Sequence, residues 1–309
     1  MYQSFSSYGR LKKVLMHSPG KEIELVTNAN AKCFNYSGKV NAKLFRSDYQ
    51  IFLEKLAENG TEPVLITDVL KDDKEALEYI SRRPNMVYTR DIAVMVGHGA
   101  VLMSLLLKGR KLDEMIVEKA LKKLGIPIFG RITPPNVLEG GGVMFFDEHT
   151  MLAGLCDRAD EKAIGQLKDF AFKNTKIDRF IMITTPEGTI HIDGLFMMID
   201  RKLAIASLPD LEFYPSLLFT KKEPPKPIWF TEFLEENDIE IIEISAKERD
   251  NAATNYIATG PLEVVGYDFN RRVHKEIEKR GGKVSTFPAR ELFKGRGGPH
   301  CMTCPIWRE

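Results

Sequence analysis

The chain has 309 residues, 43% of them hydrophobic, and 44 Lys and Arg residues balance 43 Asp and Glu residues to a net charge of +1. This composition is sufficient for a full hydrophobic core, and the balanced charge provides no overall field that would attract nucleic acid or an acidic membrane. Because the N-terminal segment opens no signal-type apolar run and no stretch approaches the roughly 20 apolar residues of a membrane helix, we expect a soluble, cytoplasmic protein with neither nucleic acid nor membrane as partner.

Short β-rich runs alternate with helical stretches along the whole chain. The predicted strands are Leu11–His17, Pro63–Ile66, Met86–Met95, Ala100–Leu106, Val143–Phe146, Met151–Leu155, Arg179–Thr184, Gly194–Asp200, Leu203–Ala206, Glu240–Ile244, Tyr256–Thr259, Val264–Asp268 and Lys283–Thr286. The predicted helices are Asp48–Glu58, Lys74–Ser81, Lys111–Lys123, Glu161–Phe172, Thr231–Asn237 and Arg271–Arg280. Strand-strand-helix-strand units thus recur about every 50–60 residues, roughly five times. Since Lys221–Pro227 is short enough to be a surface connection, we expect residues 1–309 to form one α/β domain.

The four cysteines are too sparse for a disulfide framework, and a reducing compartment would keep them as thiols. Cys301 and Cys304 have the spacing of zinc and redox motifs. However, a zinc ribbon needs a second ligand pair, whereas Cys33 and Cys156 stand alone. A thioredoxin-type motif belongs at the start of a helix in a βαβ unit. Zinc and redox chemistry are therefore the less favoured interpretations of this pair.

Cys301 follows the segment Gly295–His300, which contains three glycines and a proline. This composition excludes a helix or a central strand and predicts a shaped loop that presents the thiol. A disordered tail would be a strange alternative for this composition. Basic neighbours lower the pKa of a thiol and increase its thiolate fraction, the form that attacks carbon. We therefore expect Cys301 to be a nucleophile with a lowered pKa.

Two carboxylates lie just before apolar runs. Burial of a charged carboxylate in a hydrophobic core is energetically costly, whereas a functional site often requires one. Asp91 separates an extended segment from an apolar one, which places it near a sheet end, although a turn-capping aspartate explains it equally well. Glu139 precedes Gly140–Gly142, and such a glycine run allows a ligand or another backbone to approach closely. A hairpin turn is the alternative for this run.

His191 and Asp193 would lie on one face of an extended strand, because side chains alternate with period two. A base and an acid then share that face. A metal site is an alternative for this pair, with His300 as the attractive third ligand, although a catalytic zinc usually takes three protein ligands. A purely structural His–Asp pair is the other alternative.

A thiol, a histidine and three carboxylates together predict a cationic substrate. A guanidinium stays protonated near neutral pH, and two carboxylates can bind its planar N–H groups and orient its central carbon. The thiolate would add to that carbon. His191 would protonate the leaving ammonia and then deprotonate the water that releases the product. Glu139 would bind the imidazole and favour its protonated form.

Taken in order, four motifs resemble those of the arginine deiminase family, within the guanidino-group-modifying (amidinotransferase-like, pentein) superfamily. They are Tyr88–Asp91, Leu138–Gly141, His191–Asp193 and Arg296–Pro305. Gly9–Glu22 is also similar to that family's opening strand, so the resemblance covers nearly the whole chain. It implies a five-bladed, pseudo-symmetric α/β propeller built from ββαβ-type units.

The resemblance also implies a reaction, the hydrolysis of L-arginine to L-citrulline and ammonia through a Cys-bound S-amidino (thiouronium) intermediate, without a cofactor or metal. The implied catalytic residues are Cys301 as nucleophile, His191 as acid and base, Glu139 as the partner of the histidine, and Asp91 and Asp193 as the guanidinium clamp. The residues that fall where the family binds the α-carboxylate of arginine are Arg110, Arg158 and Arg296. Convergence of these arginines would favour an amino acid over an amine such as agmatine.

Two features depart from the family pattern. Gly142 stands where the family commonly has Asp, and the chain is shorter than typical bacterial members, with the shortfall before Asp91, where those enzymes carry an inserted helical domain. Short relatives include amidinotransferases and enzymes that carry arginine beyond citrulline. The alternatives are therefore an amidinotransferase, an arginine dihydrolase or a dimethylarginine hydrolase-like enzyme. A binding protein without activity is disfavoured, since it has no need of this residue set, and homo-oligomerisation is left open.

Overall fold

A computed structural model describes residues 2–309, and over these residues the chain forms seventeen β-strands and nine α-helices. The strands are β1 (Leu11–Met16), β2 (Glu62–Leu65), β3 (Ala93–Val96), β4 (Gly99–Leu102), β5 (Ile128–Arg131), β6 (Val143–Phe145), β7 (Thr150–Leu155), β8 (Arg179–Thr184), β9 (Phe196–Asp200), β10 (Leu203–Ala206), β11 (Ser216–Thr220), β12 (Lys226–Ile228), β13 (Glu240–Glu243), β14 (Ile257–Gly260), β15 (Glu263–Tyr267), β16 (Lys283–Phe287) and β17 (Cys304–Arg308). The helices are α1 (Ala42–Glu58), α2 (Ile66–Val69), α3 (Lys74–Ile80), α4 (Asp113–Lys123), α5 (Glu161–Asn174), α6 (Leu208–Leu211), α7 (Phe230–Glu236), α8 (Ala246–Asp250) and α9 (Arg271–Lys279). Within residues 2–309, no helix is both long and apolar enough to span a membrane.

The strands form five sheets that share one pattern. The sheet orders are β17-β1-β2, β3-β4-β5, β6-β7-β8 extended by β11 and β12, β9-β10-β13 and β14-β15-β16. In each sheet the first strand is antiparallel to the second, and the second is parallel to the third. A parallel pair needs a crossover connection, and each crossover here contains a helix. The repeated ββαβ units expected from the sequence are therefore present.

One unit is assembled from both ends of the chain. β17 pairs antiparallel with β1, with Leu15 opposite Cys304, and β1 then pairs in parallel with β2. β17 was not among the strands predicted from the sequence. The pairing fixes the loop that carries Cys301 to the rest of the fold.

The helices bury their apolar faces against the sheets. In α5 the buried residues Ala163, Leu167 and Ala171 follow helical spacing, and the Asp160 side chain accepts a hydrogen bond from the N–H of Ala163 at the helix start. Such an N-cap contributes about 1 kcal/mol. These local signals explain why the predicted helix Glu161–Phe172 is confirmed with nearly the same bounds.

The predicted strand Met86–Met95 is wrong over most of its length. Only β3 is extended, and 3-10 turns cover Pro84–Val87 and Thr89–Asp91. Pro84 fixes its own φ, and the Thr89 hydroxyl lies within hydrogen-bonding distance of the carbonyl groups of Leu15 and Met302, which ties this segment to the unit formed by both chain ends. Tertiary contacts therefore override the local β preference and turn Asp91 inward.

Part of the predicted surface connection Lys221–Pro227 is also strand. β11 pairs antiparallel with β8, and β12 pairs with β11 at the outer edge of the same sheet. Pro227 is tolerated in β12 because an edge strand leaves one row of backbone groups unpaired.

Candidate active site

Each of the five units supplies a polar side chain just before its first strand. These residues are Asp91 before β3, Glu139 before β6, Asp193 before β9, Asn255 before β14 and Cys301 before β17. Four of them line one cavity of about 750 Å³, together with His191. Glu139 is fully buried and contacts the imidazole of His191. The repeated unit therefore brings residues distant in sequence to one site.

The segment before Cys301, predicted to be a shaped loop, packs closely on its neighbours. A Cβ atom on Gly297 would lie 2.4 Å from the ring of Tyr88, and one on Gly298 would lie 2.4 Å from Oδ1 of Asn255. Any larger residue at these positions would push the loop outward. The glycines thus allow the thiol of Cys301 to enter the cavity.

The thiol of Cys301 lies beside a carboxylate and a neutral amide group rather than beside a cation. Its Sγ is 3.5 Å from Oδ2 of Asp193 and 3.2 Å from Nδ2 of Asn255. Burial raises the pKa of the Cys301 thiol well above its usual value, and the charges of Asp193 and Asp91 raise it further. The expected lowered pKa is therefore wrong, because the basic neighbour Arg296 is exposed to solvent while the sulfur points inward.

Asp193 uses one carboxylate oxygen to organise the site. Its Oδ2 accepts hydrogen bonds from Nδ1 of His300 at 2.8 Å and from Nδ2 of Asn255 at 3.1 Å. Burial lowers the pKa of His300 to about 4, so this imidazole is neutral and donates its single N–H to Asp193. Within residues 2–309, Oδ1 of Asp193 accepts no hydrogen bond, although the residue lines the cavity.

The segment that carries His191 and Asp193 is not a strand. His191 is extended, but Ile192–Gly194 forms a 3-10 turn, so the predicted alternation along a strand is wrong. The turn precedes β9 and directs both side chains to the cavity. The 3-10 turn, rather than the alternation of side chains along a strand, therefore places both residues at the cavity.

Asp91 presents the second free carboxylate oxygen. Its Oδ2 accepts a hydrogen bond from Nη1 of Arg110 at 2.5 Å, and both side chains are buried. Its Oδ1 is buried without a hydrogen-bond partner in the described chain and lies 3.9 Å from Nδ1 of His191. Burial raises the pKa of Asp91, while the charges of Arg110 and His191 oppose that change.

The expected contact between Glu139 and His191 is present. Oε2 of Glu139 lies 3.1 Å from Nε2 of His191, and Glu139 also accepts hydrogen bonds from Arg158 and from the N–H of Leu106. Burial opposes the charged form of His191, but the hydrogen bond and the surrounding carboxylates outweigh it and raise the pKa of the imidazole. A Cβ atom on Gly141 would lie 2.5 Å from Nδ1 of His191, so this glycine makes room for the ring.

The three arginines predicted to bind a substrate carboxylate all lie at the cavity but differ in availability. Arg110 donates to Asp91, to the carbonyl of Tyr88 and to Asp113, so its guanidinium is largely engaged. Nη1 of Arg158 donates to Glu139. Arg296 is exposed on the cavity wall and forms no ion pair within residues 2–309. Their role in substrate binding stays a prediction.

One group of side chains has the donor types of a metal site. Ligand atoms of Asp91, Glu139 and His191 all lie within 4.8 Å of one another. However, Arg110 already neutralises Asp91, and Arg158 neutralises Glu139, so a cation would compete with two guanidinium groups. The alternative ligand His300 binds Asp193 instead.

Asn255 was missed by the sequence analysis. The signal was its position just before the predicted strand Tyr256–Thr259, which matches the positions of Asp91 and Asp193 before their strands. It was not predicted because an amide carries no charge, whereas the predicted residues at the other strand starts are carboxylates.

With this geometry established, the family model for arginine deiminase matches residues 71–308. The chain belongs to the arginine deiminase family. It is 24% identical to an arginine deiminase of Borreliella afzelii over 397 aligned positions, which include 99% of this chain and 97% of that protein. It is 29% identical to an arginine deiminase of Listeria monocytogenes over 267 positions, 77% of this chain and 64% of that protein.

Solved structures of other proteins share this fold. A cysteine-to-serine mutant of dimethylarginine dimethylaminohydrolase from Pseudomonas aeruginosa, complexed with citrulline, matches with a TM-score of 0.72 at 16% identity, covering 96% of this chain and all of that one. The product-bound N-terminal domain of ArgZ, an arginine dihydrolase from cyanobacteria, matches with a TM-score of 0.72 at 15% identity, covering 96% and 97% of the two chains. At this identity the structural likeness establishes the fold.

Family membership makes this arginine deiminase family protein a hydrolase that acts on C–N bonds. The alignment with the Borreliella protein spans 397 positions, whereas the chain has 309 residues, so that relative carries segments that this chain lacks.

Proposed function

We propose that this enzyme hydrolyses L-arginine to L-citrulline and ammonia through an S-amidino intermediate on Cys301. The observation that supports it most directly is a pair of carboxylate oxygens without a hydrogen-bond donor in the described chain. They are Oδ1 of Asp91, which is buried, and Oδ1 of Asp193, whose residue lines the cavity that holds the thiol. A buried acceptor without a partner is costly, and a guanidinium supplies N–H donors to both. The proposed clamp therefore leaves the planar carbon of the substrate beside the sulfur.

The charges of the site agree with a cationic ligand. Arg110 and Arg158 each neutralise one carboxylate, on Asp91 and Glu139, while Asp193 contacts the neutral His300. Because burial disfavours an uncompensated charge, binding of a guanidinium is favoured electrostatically. The same cation would stabilise the thiolate of Cys301 when the substrate is bound.

The proposed reaction has two steps. When the guanidinium binds, the Cys301 thiol loses its proton to solvent and the thiolate adds to the guanidino carbon. The C–N bond then breaks, and ammonia leaves with a proton from His191, giving the S-amidino intermediate. His191 then removes a proton from water, whose oxygen attacks the same carbon. The C–S bond breaks to release citrulline and the thiolate, and the remaining proton of the attacking water leaves to solvent as the ureido C=O forms. Glu139 would keep the imidazole oriented and favour its protonated form through the hydrogen bond at 3.1 Å.

For the α-carboxylate of arginine we propose Arg296 as the main partner, with the remaining N–H groups of Arg158 and Arg110 behind it. Arg296 is the member of this set without an ion pair in the described chain. Gly142 carries no side chain where the family commonly has Asp, so this polar contact is absent.

We also infer that residues 1–309 form one domain in which the five sheets stand around a common axis as a propeller. Two observations support this arrangement: β17 closes on β1, and all five units direct a polar side chain to one site.

The test is an assay of the purified protein with a panel of guanidino compounds that measures ammonia and ureido product. We expect ammonia and citrulline in equal amounts from L-arginine, and no citrulline from Cys301→Ser. Mass spectrometry of acid-quenched wild-type protein should show the amidino adduct on the peptide that contains Cys301. Citrulline release by Cys301→Ser at the normal rate would refute the proposal.

The same panel separates the alternatives from the sequence analysis. A new guanidino product after addition of ornithine, glycine or lysine would indicate amidino transfer. Two ammonia per arginine together with ornithine would indicate a dihydrolase, and a preference for methylated arginines would indicate a dimethylarginine hydrolase.

A further inference from the structure

Asn255 makes four contacts with the groups around the thiol. Its Nδ2 donates to Sγ of Cys301 at 3.2 Å and to Oδ2 of Asp193 at 3.1 Å. Its Oδ1 accepts the N–H of Cys301 at 3.3 Å, and its main-chain carbonyl accepts the N–H of His300 at 3.5 Å. The side chain is buried, and it lies on the wall of the cavity.

The orientation of the amide is fixed by its partners. The N–H of Cys301 can only donate, and an ionised Asp193 can only accept. The oxygen of the amide must therefore face the main chain of Cys301, and its nitrogen must face the carboxylate and the sulfur. Both N–H groups are then directed at atoms of the proposed reaction.

An amide is the donor type that suits a thiolate beside a cationic substrate. A lysine or arginine at this position would stabilise the thiolate but would repel a guanidinium held by Asp91 and Asp193. A neutral N–H donor stabilises the anionic sulfur without adding positive charge, and hydrogen bonds to an ionised acceptor are about twice as strong as neutral ones.

No other described residue donates a side-chain hydrogen bond to this sulfur. The remaining charged or titratable groups that face Cys301 are Asp91, Asp193, Arg90, Tyr88 and Tyr267, with His300 adjacent in the chain. The two carboxylates oppose ionisation of the thiol, and Arg90 directs its Nε to the carbonyl of His300. Among the described residues, Asn255 thus provides the side-chain hydrogen bond that favours the nucleophilic form, beside a main-chain contact from Gly298.

We propose that Asn255 is a catalytic residue that stabilises the Cys301 thiolate through Nδ2 while it keeps Asp193 aligned for the guanidinium. This role rests on the proposed function, and it completes the site with one residue from each unit. Asn255 stays in contact with the sulfur when Cys301 forms its bond to carbon and again when that bond breaks.

The test compares Asn255→Ala and Asn255→Ser with the wild type in two assays. The first measures alkylation of Cys301 by iodoacetamide at pH 8.5 without substrate, followed on the Cys301 peptide by mass spectrometry. A hydrogen bond to a charged group contributes about 1.5–3 kcal/mol, so we expect alkylation of Cys301 to slow by about 10- to 100-fold. The second measures arginine hydrolysis, in which kcat should fall by a similar factor with a smaller change in KM.

Two controls accompany these assays. Cys33 is an exposed free thiol in the same protein, and its alkylation rate should be equal in all variants. Asn270→Ala removes another buried asparagine, whose Nδ2 donates to the carbonyl of Asn251 away from the cavity, and it should leave alkylation and kcat of the enzyme unchanged.

The two assays distinguish failure of this inference from failure of the proposed function. If the wild type does not hydrolyse arginine, the alkylation assay still tests the contact between Asn255 and the sulfur. A folded Asn255→Ala protein with wild-type alkylation of Cys301 would overturn the inference, whatever the substrate is. Loss of folding in both variants, judged by circular dichroism, would also overturn it, because the role would then be architectural.

Discussion

The carboxylate of Asp193 lies 3.5 Å from the sulfur of Cys301, so the proposed nucleophile faces a negative charge in the substrate-free enzyme. Burial and this charge both raise the pKa of the thiol. The negative charge of Asp193 therefore has two opposing effects. It would bind the cationic substrate, but it disfavours ionisation of the Cys301 thiol. A bound guanidinium would neutralise the carboxylate and so lower the pKa of the thiol when the substrate is present.

We therefore expect the Cys301 thiol to be protonated at neutral pH in the free enzyme. Alkylation by neutral iodoacetamide should be slow at pH 7 and should rise with pH up to the raised pKa. The cationic reagent 2-chloroacetamidine should react faster at the same pH, since Asp91 and Asp193 attract it. Asp193→Asn should lower the thiol pKa by about one unit or more, which speeds the reaction with iodoacetamide. The same substitution should remove the faster reaction of 2-chloroacetamidine relative to iodoacetamide. Equal rates for the two reagents in the wild type would contradict this account.

A second prediction concerns the pair of Glu139 and His191. Because the hydrogen bond at 3.1 Å and the negative charges raise the pKa of the imidazole, activity that needs protonated His191 is present below this pKa and lost as pH rises through it. Glu139→Gln removes one of these charges, so the alkaline limb of the kcat profile should move to lower pH by about one unit. At pH 8 the fraction of protonated His191, and with it kcat, should therefore fall by up to about 10-fold. An unchanged alkaline limb in a folded variant would exclude Glu139 as the group that tunes His191.

The sequence predicted those parts of the fold that depend on local signals. Helices such as α5 and α9 were found nearly to the residue, because their apolar spacing, and in α5 a capping side chain, lie within the segment itself. It failed at Pro84–Asp91, where contacts from β1 and from the turn before β17 decide the conformation. The positions of Glu139 and Asp193 before strands were predicted correctly, because an apolar run follows each residue in its own segment.

Spatial neighbours could not be predicted in the same way. The lowered pKa expected for Cys301 assumed that adjacent basic residues face the thiol, whereas Asp193, more than a hundred positions away, is the charged group in contact. The hydrogen bond between Arg110 and Asp91 could not be predicted either, because it depends on how two 3-10 turns, Thr89–Asp91 and Lys108–Arg110, meet in space.

A third prediction tests the room that Gly141 leaves for the imidazole of His191. In Gly141→Ala the added Cβ would lie 2.5 Å from Nδ1 of His191, so the ring must move. Since a displacement of about 1 Å can cost about 10²-fold in rate, we expect kcat to fall by that order while KM changes less. Gly165→Ala in α5 is the matched control, because nothing lies within 4 Å of its Cβ position and alanine favours a helix by about 0.5–1 kcal/mol. Similar activities in the two variants would show that the contact with His191 is unimportant.

A fourth prediction concerns stability. Arg110 is buried and forms a 2.5 Å contact with the buried carboxylate of Asp91, so Arg110→Gln would leave that charge without its partner. Breaking such a pair from one side costs about 3 kcal/mol or more, measured as the free energy of unfolding in urea. Arg131→Gln breaks a pair of similar length with Glu118, but the arginine side chain is half exposed and the loss should stay below about 1 kcal/mol. An equal loss of unfolding free energy in the two variants would mean that the buried pair of Arg110 and Asp91 stabilises the fold no more than an exposed pair does.

The last prediction separates recognition of the guanidinium from recognition of the rest of the substrate. Arg296 lies on the cavity wall, is exposed, and has no ion pair in the described chain, so its guanidinium is available for a carboxylate. Arg296→Gln should raise KM for L-arginine by about 10- to 100-fold, which corresponds to a lost charge-assisted hydrogen bond. Agmatine has the same guanidinium but no carboxylate, so its poorer turnover should be unaffected by the substitution. Arg131→Gln, remote from the cavity, should change neither substrate's kinetics. If Arg296→Gln weakens arginine and agmatine by the same factor, then Arg296 shapes the loop that presents Cys301, and the carboxylate must bind elsewhere.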